Sequence, residues 1–319
     1  MQLAKKMIDA AKSSGADAVK FQTFTASKLV SEGTPKVEYQ KSTTSPSESH
    51  YEMIRRLELS FDSHLELKDY CDQVGIDFLS TPYDVESAKF LDKLGVKFFK
   101  TASADLVDFQ LHQFIASTGK PAIIATGMAT LDEVERVVRL YVEAGNSNVI
   151  LLHCVSNYPC SDSSINLLAI KAIADAFSLP VGYSDHSVGN IAAVLSIALG
   201  VKVIEKHFTL DKSLPGPDHL ASSTPDEFSE LAISVRRAEK ILGKSQKLCQ
   251  EEERQMARVS RKSIILGQAM RAGDVLREGS LVLKRPGTGI DPFNLPQIYG
   301  KKIRIDCGAG HLLSWSDIQ

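Results

Sequence analysis

The sequence predicts an α/β fold built on a TIM (β/α)8-type barrel that lacks its first strand, followed by a small β-rich domain. From residue 17 to about 210, strand-length apolar runs alternate with helical stretches. The runs are continuous and rich in Val, Ile, Leu and Phe, which is typical of parallel strands buried on both faces. After residue 260, short β-like runs between glycine turns indicate the second domain.

Seven runs have the length and composition of barrel strands. They are residues 17–24, 77–83, 97–103, 121–127, 148–156, 179–186 and 201–210. The stretches between them, such as 85–95, 130–145 and 190–200, read as helices. The helix predicted at 226–243 follows the last strand and would close the barrel. A seven-stranded open sheet is the alternative architecture.

The chain begins with a predicted helix, not with a strand. Residues 2–14 place Leu3, Met7 and Ile8 on one face, and in a TIM barrel each helix follows a strand. We therefore expect a longer protein whose start has been assigned to an internal methionine, because a barrel without that strand would expose two strand edges. A genuine short form is the alternative.

The domain organisation follows from a change in amino-acid composition near residue 244. Residues 1–243 are predicted to form the barrel, and the polar, charged segment 244–260 a linker. Within the small domain at 261–319, AGDVLREGSL (272–281) and AGHLLSWSDI (309–318) form a weak internal repeat. A domain of about 60 residues is marginally stable alone, so we expect it to pack against another surface.

The composition excludes several functional classes. A formal net charge of −2 over 319 residues gives no strong electrostatic field that would attract nucleic acid or a membrane surface. No apolar run approaches the ~20 residues of a membrane span, and the N-terminus has no signal-peptide pattern. The five cysteines include no CxxC pair, which favours a reduced, cytoplasmic setting.

His186 and His207 end consecutive predicted strands. Adjacent strands are roughly 4.8 Å apart, so both imidazoles can reach one point at the face where TIM barrels carry their active sites. Two histidines with open coordination positions suit a catalytic divalent ion such as Mn²⁺ or Zn²⁺. Two hydrogen-bonded core histidines are the alternative.

Lysines and hydroxyl groups surround the same predicted opening, at the carboxyl ends of the barrel strands. Lys20 and Lys100 lie near strand ends, and the accompanying hydroxyls are Thr81, Ser103, Ser156 and Ser184. Their convergence predicts a site for a small anion carrying phosphate and carboxylate groups. Alternatively, a lysine could reach solvent or pair with Asp105 or Glu205. Lys206 points away from Glu205 by strand alternation and is predicted to be structural.

A series of motifs on successive predicted strands carries a family resemblance. The motifs are KFQTF, STPY, KTASAD, ATGM, HCVSNYP, SDHSVG and IEKHFTLDKSLPGPDH. In this order they resemble the sialic acid synthases, that is, the N-acetylneuraminate synthases and their legionaminate and pseudaminate relatives. Residues 261–319, with the loop KRPGTG, resemble the antifreeze-like (SAF, β-clip) domain of that family. The resemblance covers essentially the whole chain.

The resemblance implies a condensation of phosphoenolpyruvate with an open-chain N-acylhexosamine and water. N-acetylmannosamine is the first expectation, with N-acetylneuraminate and phosphate as products. The alternatives are a 2,4-diacetamido-6-deoxyhexose, which would give legionaminate or pseudaminate, and a truncated, catalytically impaired member. In the family a divalent ion, Mn²⁺ or Mg²⁺, polarises the sugar aldehyde.

The family's motifs also imply a role for each matching residue. His186 and His207 would bind the metal ion. Phosphoenolpyruvate would contact Lys20 and Thr81 through its carboxylate, and Lys100, Ser103, Ser156 and Ser184 through its phosphate. The sugar would contact Gln22, Asp105, Tyr158, Asp218 and Arg285. The implied catalytic residues are Lys20, Gln22, Asp105 and Tyr158.

Some positions depart from the family's pattern. Ser156 stands where some members have Asn, Ala125 where some have a phosphate-binding Ser, and Asp105 where some have Glu. The Glu that ends the family's first strand is not in this chain. Arg285 matches an arginine that the small domain inserts into the other subunit's active site, which implies a domain-swapped homodimer.

Three rival functions come from other classes. Lys20 or Lys100 could form an imine in a Schiff-base aldolase. A degenerate barrel could bind sugar or partner chains without turnover. Ice binding by the C-terminal domain is disfavoured, because that segment has no regular array of threonines.

Overall fold

The chain forms two compact units, Met1–Gly243 and Lys244–Gln319. The structure, a computed structural model, describes residues 1–45 and 47–319. No helix in this described part is both long and apolar enough to cross a membrane.

The described part of the first unit contains seven strands, and all of them fall within the predicted runs. In chain order they are β1 (Ala18–Thr23), β2 (Asp77–Pro82), β3 (Phe99–Thr101), β4 (Ala122–Ala125), β5 (Val149–Cys154), β6 (Val181–Asp185) and β7 (Val203–Lys206). The seven predicted strands are therefore confirmed, although β3 and β7 are much shorter than their apolar runs.

All strand pairs in this unit are parallel and join neighbours in the sequence. One ladder joins β1 to β2, and a second runs in the order β3-β4-β5-β6-β7. A doubly wound sheet would reverse its strand order at a switch point, and this order never reverses. The topology is that of a barrel-like α/β fold, although β2 and β3 are not joined by a described ladder.

Helices connect the strands, and the longer ones pack against them. They are α1 (Gln2–Ser13), α2 (Ala26–Leu29), α3 (Glu38–Thr43), α4 (His50–Arg56), α5 (Phe61–Val74), α6 (Val85–Leu94), α7 (Phe109–Ser117), α8 (Leu131–Glu143), α9 (Asp162–Ile165), α10 (Ala169–Phe177), α11 (Ile191–Ala198) and α12 (Pro225–Leu242). The predicted helices at 2–14, 85–95, 130–145, 190–200 and 226–243 are confirmed within a few residues.

Local sequence signals fix where these helices begin and end. Thr130 caps α8 through a reciprocal pair of hydrogen bonds with Glu133, and Thr224 caps α12 in the same way with Pro225 as the first helical residue. Gly95 ends α6 in the left-handed region at φ 80°, where a side chain would be strained. The caps at Thr130 and Thr224 fix where the loops that follow β4 and β7 end, and Gly95 fixes where the chain turns toward β3.

The core of the first unit lies between the strands and the helices. Its largest fully buried side chains include Tyr141, Tyr183 and Phe99. Polar side chains also interact within this core. Thr23 Oγ1 of β1 lies 2.6 Å from Ser80 Oγ of β2 and 2.8 Å from His64 Nε2 of α5. These contacts place Thr23 on the outer face of β1, so that Lys20 and Gln22 lie on its inner face.

The second unit has its own apolar core, which includes Ile264, Leu276 and Ile303. Its helices and strands are α13 (Arg254–Ser260), β8 (Ser263–Leu266), β9 (Leu281–Lys284) and α14 (Leu295–Ile298), and β8 pairs with β9 in antiparallel fashion. Part of the segment predicted as a linker is helical, and Arg258 O accepts a hydrogen bond from Gly287 N at 2.7 Å.

Candidate active site

Two lysines share one carboxylate inside the barrel. Glu205 of β7 lies with Oε2 3.9 Å from Lys20 Nζ and Oε1 3.6 Å from Lys100 Nζ. Ser184 of β6 donates a hydrogen bond to Glu205 Oε1 at 2.8 Å, as expected from the register that pairs these two residues. The cluster therefore carries one more positive charge than negative charge.

This arrangement keeps Glu205 ionised. Burial raises the pKa of the Glu205 carboxyl, but Lys100, Lys20 and the Ser184 hydrogen bond outweigh burial and lower that pKa to about 2. Burial lowers the pKa of Lys100, and Glu205 counters this effect. The long ion-pair distances and the surplus cation leave the cluster suited to a further anion.

Small hydroxyl residues lie beside the lysines. Ser103 Oγ accepts a hydrogen bond from Gly127 N at 3.0 Å and lies 3.1 Å from Cys154 Sγ. A Cβ at Gly127 would lie 2.5 Å from Ser156 Oγ and 2.8 Å from Ser103 Oγ, so the absence of a side chain lets both hydroxyls approach the backbone. Thr81 Oγ1 is buried and has no hydrogen-bond partner among the described residues.

The two histidines and Tyr158 form a tight aromatic group. The ring centroids of His186 and His207 are 5.5 Å apart, and the Tyr158 ring lies 4.2 Å from His186 and 5.2 Å from His207. Burial lowers the pKa of both imidazoles, and that of His207, with a smaller contribution from His186, reaches about 3. Both rings are therefore neutral near pH 7.

The donor set of this pair fits a divalent metal ion. His186 Nδ1 donates to Val155 O at 2.7 Å, which leaves a lone pair on Nε2. His207 Nδ1 lies 3.8 Å from Asp218 Oδ2. The described residues contain no group of three or more His, Cys, Asp or Glu side chains placed to hold a metal. The protein would thus supply two imidazoles and leave the other positions open to substrate and water.

A second group of polar side chains has buried atoms without partners. Asp105 Oδ2 and Asp218 Oδ1 are both buried and make no hydrogen bond with a described residue. Burial raises the pKa of Asp105 to about 7, and burial also raises the pKa of Asp218. Such orphan acceptors are costly unless a ligand supplies the missing donors.

The opposite face of β6 and β7 carries a closed ion pair. Lys206 Nζ lies 2.6 Å from Asp185 Oδ2, and the side chains are only 3% and 0% exposed. The other carboxylate oxygen accepts from Ser187 N, Ser187 Oγ and Tyr183 OH at 2.9, 2.6 and 3.2 Å. The predicted structural role of Lys206 is supported by this pairing.

The described contacts connect most, but not all, of the predicted site residues. Gln22 is exposed and is paired in register with Thr81. Arg285 is an exposed residue of the second unit, and its contact with a partner's sugar stays a prediction. The roles assigned to individual residues also stay predictions.

Two inward-facing residues were left out of the predicted set. Glu205 was considered only as a partner for a lysine, yet strand alternation already marked it as inward, since Lys206 faces outward. Tyr83, which directly follows β2, could have been found from the same alternation. In both cases the signal is the two-residue period of a strand.

Comparisons with known proteins give a consistent family. The NeuB family model matches residues 7–247. An N,N'-diacetyllegionaminic acid synthase of Legionella pneumophila is 44% identical over 323 aligned residues, covering 100% of this chain and 91% of the relative. A pseudaminic acid synthase of Campylobacter jejuni is 33% identical, covering 100% and 93%.

A solved structure agrees with these sequence relatives. The N-acetylneuraminic acid (sialic acid) synthetase of Leptospira borgpetersenii is 33% identical and superposes with a TM-score of 0.72, covering 80% of this chain and 84% of that chain. The resemblance read from the motifs is thereby confirmed. The chain belongs to the NeuB family, the enzymes that include the sialic, legionaminic and pseudaminic acid synthases.

Proposed function

We propose that this enzyme condenses phosphoenolpyruvate with an open-chain 2,4-diacetamido-6-deoxyhexose and water, giving an N,N'-diacetyllegionaminate-type product and phosphate. The observation that carries the proposal is the cluster of Lys20, Lys100 and Glu205 beside two neutral histidines. The sugar is chosen because the legionaminic acid synthase shares more identical residues with the chain than the pseudaminic and sialic acid enzymes do. The comparisons thus favour this sugar over the N-acetylmannosamine first expected from the motifs.

The anion site suits the charge of phosphoenolpyruvate. Lys20 and Thr81 would bind its carboxylate, and the orphan Thr81 hydroxyl is a donor that such a group can satisfy. The phosphate would be bound by Lys100 together with Ser103, Ser156 and Ser184. The surplus positive charge of the cluster would offset part of the substrate's charge.

The carbon–carbon bond would form between the enol carbon of phosphoenolpyruvate and the sugar aldehyde. The aldehyde oxygen takes up a proton, water adds at the carbon that bears the phosphate, and phosphate leaves with its bridging oxygen. Asp105, with a pKa of about 7, is suited to hold or release a proton near neutral pH. Gln22, Tyr158 and Asp218 would orient the sugar.

His186 and His207 would hold a divalent ion, Mn²⁺ or Mg²⁺, which when bound polarises the aldehyde as a Lewis acid. The protein prepares this role by keeping both imidazoles neutral and by fixing His186 through Val155 O. We further propose that residues 261–319 form the antifreeze-like domain, and that Arg285 reaches the sugar bound by a second copy of the chain.

Phosphate release from phosphoenolpyruvate in the presence of Mn²⁺ tests the proposal. We expect release that requires the sugar, that EDTA abolishes, and that is at least about tenfold more efficient in kcat/KM with the diacetamido sugar than with N-acetylmannosamine. Higher efficiency with N-acetylmannosamine would contradict the choice of sugar. Borohydride trapping of a keto acid on a lysine, with full activity in EDTA, would instead support the Schiff-base alternative.

A further inference from the structure

Tyr83 lies two residues beyond Thr81 along the chain, at the end of β2, and so one side-chain layer farther toward the carboxyl end of the barrel than the predicted anion site. On β2, Ser80 contacts Thr23 on the outer face, so Thr81 and Tyr83 lie on the inner face by strand alternation. The Tyr83 backbone N–H donates to Thr23 O at 3.1 Å, and this bond continues the pairing of β1 and β2 beyond Thr81. The Phe24 ring contacts the Tyr83 ring edge-on, with centroids 5.7 Å apart.

Tyr83 is partly buried, and its hydroxyl differs from those of the two fully buried tyrosines. Tyr141 OH lies 3.3 Å from His112 Nδ1, and Tyr183 OH donates to Asp185 at 3.2 Å. For Tyr83 the structure gives no hydrogen bond with any described residue. Tyr83 is only partly buried, so its hydroxyl has donor and acceptor capacity that no described residue takes up and that a ligand can use.

The groups that surround Tyr83 indicate what kind of ligand this is. Burial raises the pKa of the Tyr83 phenol, and the carboxylates of Asp105, Asp218 and Glu205 raise it further. Asp105 and Asp218 each present one buried oxygen without a described partner. One phenol and two carboxylate acceptors suit a neutral ligand rich in O–H and N–H donors, and they do not suit a second anion.

We propose that the Tyr83 hydroxyl hydrogen-bonds the N-acylhexosamine and thereby sets the affinity of the site for the sugar and not for phosphoenolpyruvate. This inference rests on the proposed function, since that function supplies the sugar. Phosphoenolpyruvate has its own donors one layer below, on Lys20, Thr81 and Lys100. The Phe24 ring contacts the Tyr83 ring, so a change to Phe would keep this packing and remove only the hydroxyl.

The test uses the full chain carrying Tyr83→Phe, which removes one oxygen and keeps the ring packed on Phe24. We expect the KM for the diacetamido sugar to rise at least about tenfold, a difference of about 1.4 kcal/mol, while the KM for phosphoenolpyruvate changes less than about twofold. Calorimetric titration with the sugar alcohol of the same sugar, which cannot react, should show the same loss of affinity.

Tyr70→Phe is the matched control. It removes a hydroxyl that donates to the exposed Asp9 at 2.9 Å, and we expect neither KM to change. Equal binding of the sugar alcohol by the wild-type protein and Tyr83→Phe would overturn the inference, as would equal rises in both KM values.

The same measurements separate this inference from the proposed function. A wild-type protein that binds the sugar alcohol more tightly than Tyr83→Phe, yet releases no phosphate, would support the role of Tyr83 and overturn the proposed reaction. A wild-type protein that turns over the sugar with an unchanged Tyr83→Phe would overturn only the role of Tyr83. A wild-type protein that neither binds the sugar alcohol nor releases phosphate would overturn both.

Discussion

Strands β6 and β7 carry a charged cluster on each face, and the two clusters are built differently. On the outer face, Lys206 and Asp185 meet at 2.6 Å, and Ser187 and Tyr183 satisfy the remaining carboxylate oxygen. On the inner face, Glu205 stands 3.6 Å from one ammonium group and 3.9 Å from another. The outer cluster is neutral and closed, whereas the inner cluster is cationic and loosely paired.

This difference teaches how to separate structure from function among buried charges. Burial of an ion pair is weak evidence for either role, because desolvation offsets most of the Coulomb attraction. Two other properties are more informative: the ratio of positive to negative groups in the cluster, and whether every carboxylate oxygen has a hydrogen-bond or ion-pair partner. A pair with every oxygen satisfied has no capacity left for a ligand, whereas two cations around one anion have that capacity. The three predictions below would break or sharpen this distinction.

The largest effect is expected for Lys100→Met. Removal of an ammonium group from the inner cluster should lower kcat/KM for phosphoenolpyruvate by about 10³-fold or more, because a buried charge-assisted contact is worth several kcal/mol. The midpoint of thermal unfolding should not fall, since burial already disfavours this charge. Lys97→Met, which removes an exposed lysine paired with Asp77, is the control. Activity within tenfold of wild type would break the distinction.

Lys206→Met should act on stability. It leaves the Asp185 carboxylate buried without its counter-ion, and we expect the free energy of unfolding to fall by about 3–5 kcal/mol. The measurement is denaturant unfolding, together with the KM for phosphoenolpyruvate, which should stay within about twofold in the folded fraction. A loss below about 1 kcal/mol would show that the outer pair is not structural.

The smallest effect is expected from pH, through Asp105. Its pKa is raised from the ordinary 3.8 to about 7, so the folded state binds this proton more tightly than the unfolded state. The resulting stability is complete below pH 3.8 and is lost as the pH rises through 7, by at most about 4 kcal/mol at 1.36 kcal/mol per pKa unit. Against Asp105→Asn, the unfolding free energy of the wild type should decline between pH 4 and 7. Parallel curves would contradict the raised pKa.

Strand periodicity made most of the barrel predictable. Continuous apolar runs located all seven strands, and alternation placed Lys206 opposite Glu205 because the side-chain period of a strand is two. The sequence did not predict that the β1–β2 ladder is separate from the other five strands. It also did not resolve the short helices α2 and α3, since helices of this length owe their stability mainly to tertiary packing.

The candidate site was predictable in composition more than in arrangement. Lys20, Lys100, Ser184 and both histidines were found from their places at strand ends. Glu205 was harder to assign, because a carboxylate among lysines can be a partner, a solvated group or a ligand contact until distances are known. The proposed role of Tyr83 depends on its hydroxyl having no described hydrogen-bond partner. A pattern of residue types in the sequence does not show which hydrogen bonds are absent from the folded protein.

The outer ion pair also bears on how the strands find their alignment during folding. Lys206 is paired in register with Asp185, and Glu205 with Ser184. A slip of β7 by one residue against β6 would exchange the faces of Glu205 and Lys206. Asp185 would then face a second carboxylate, and Lys206 would join Lys20 and Lys100 on the inner face while Glu205 left it. Two charges of opposite sign at adjacent positions of β7 therefore help to specify its alignment with β6, because a slip by one residue would leave both charges badly paired.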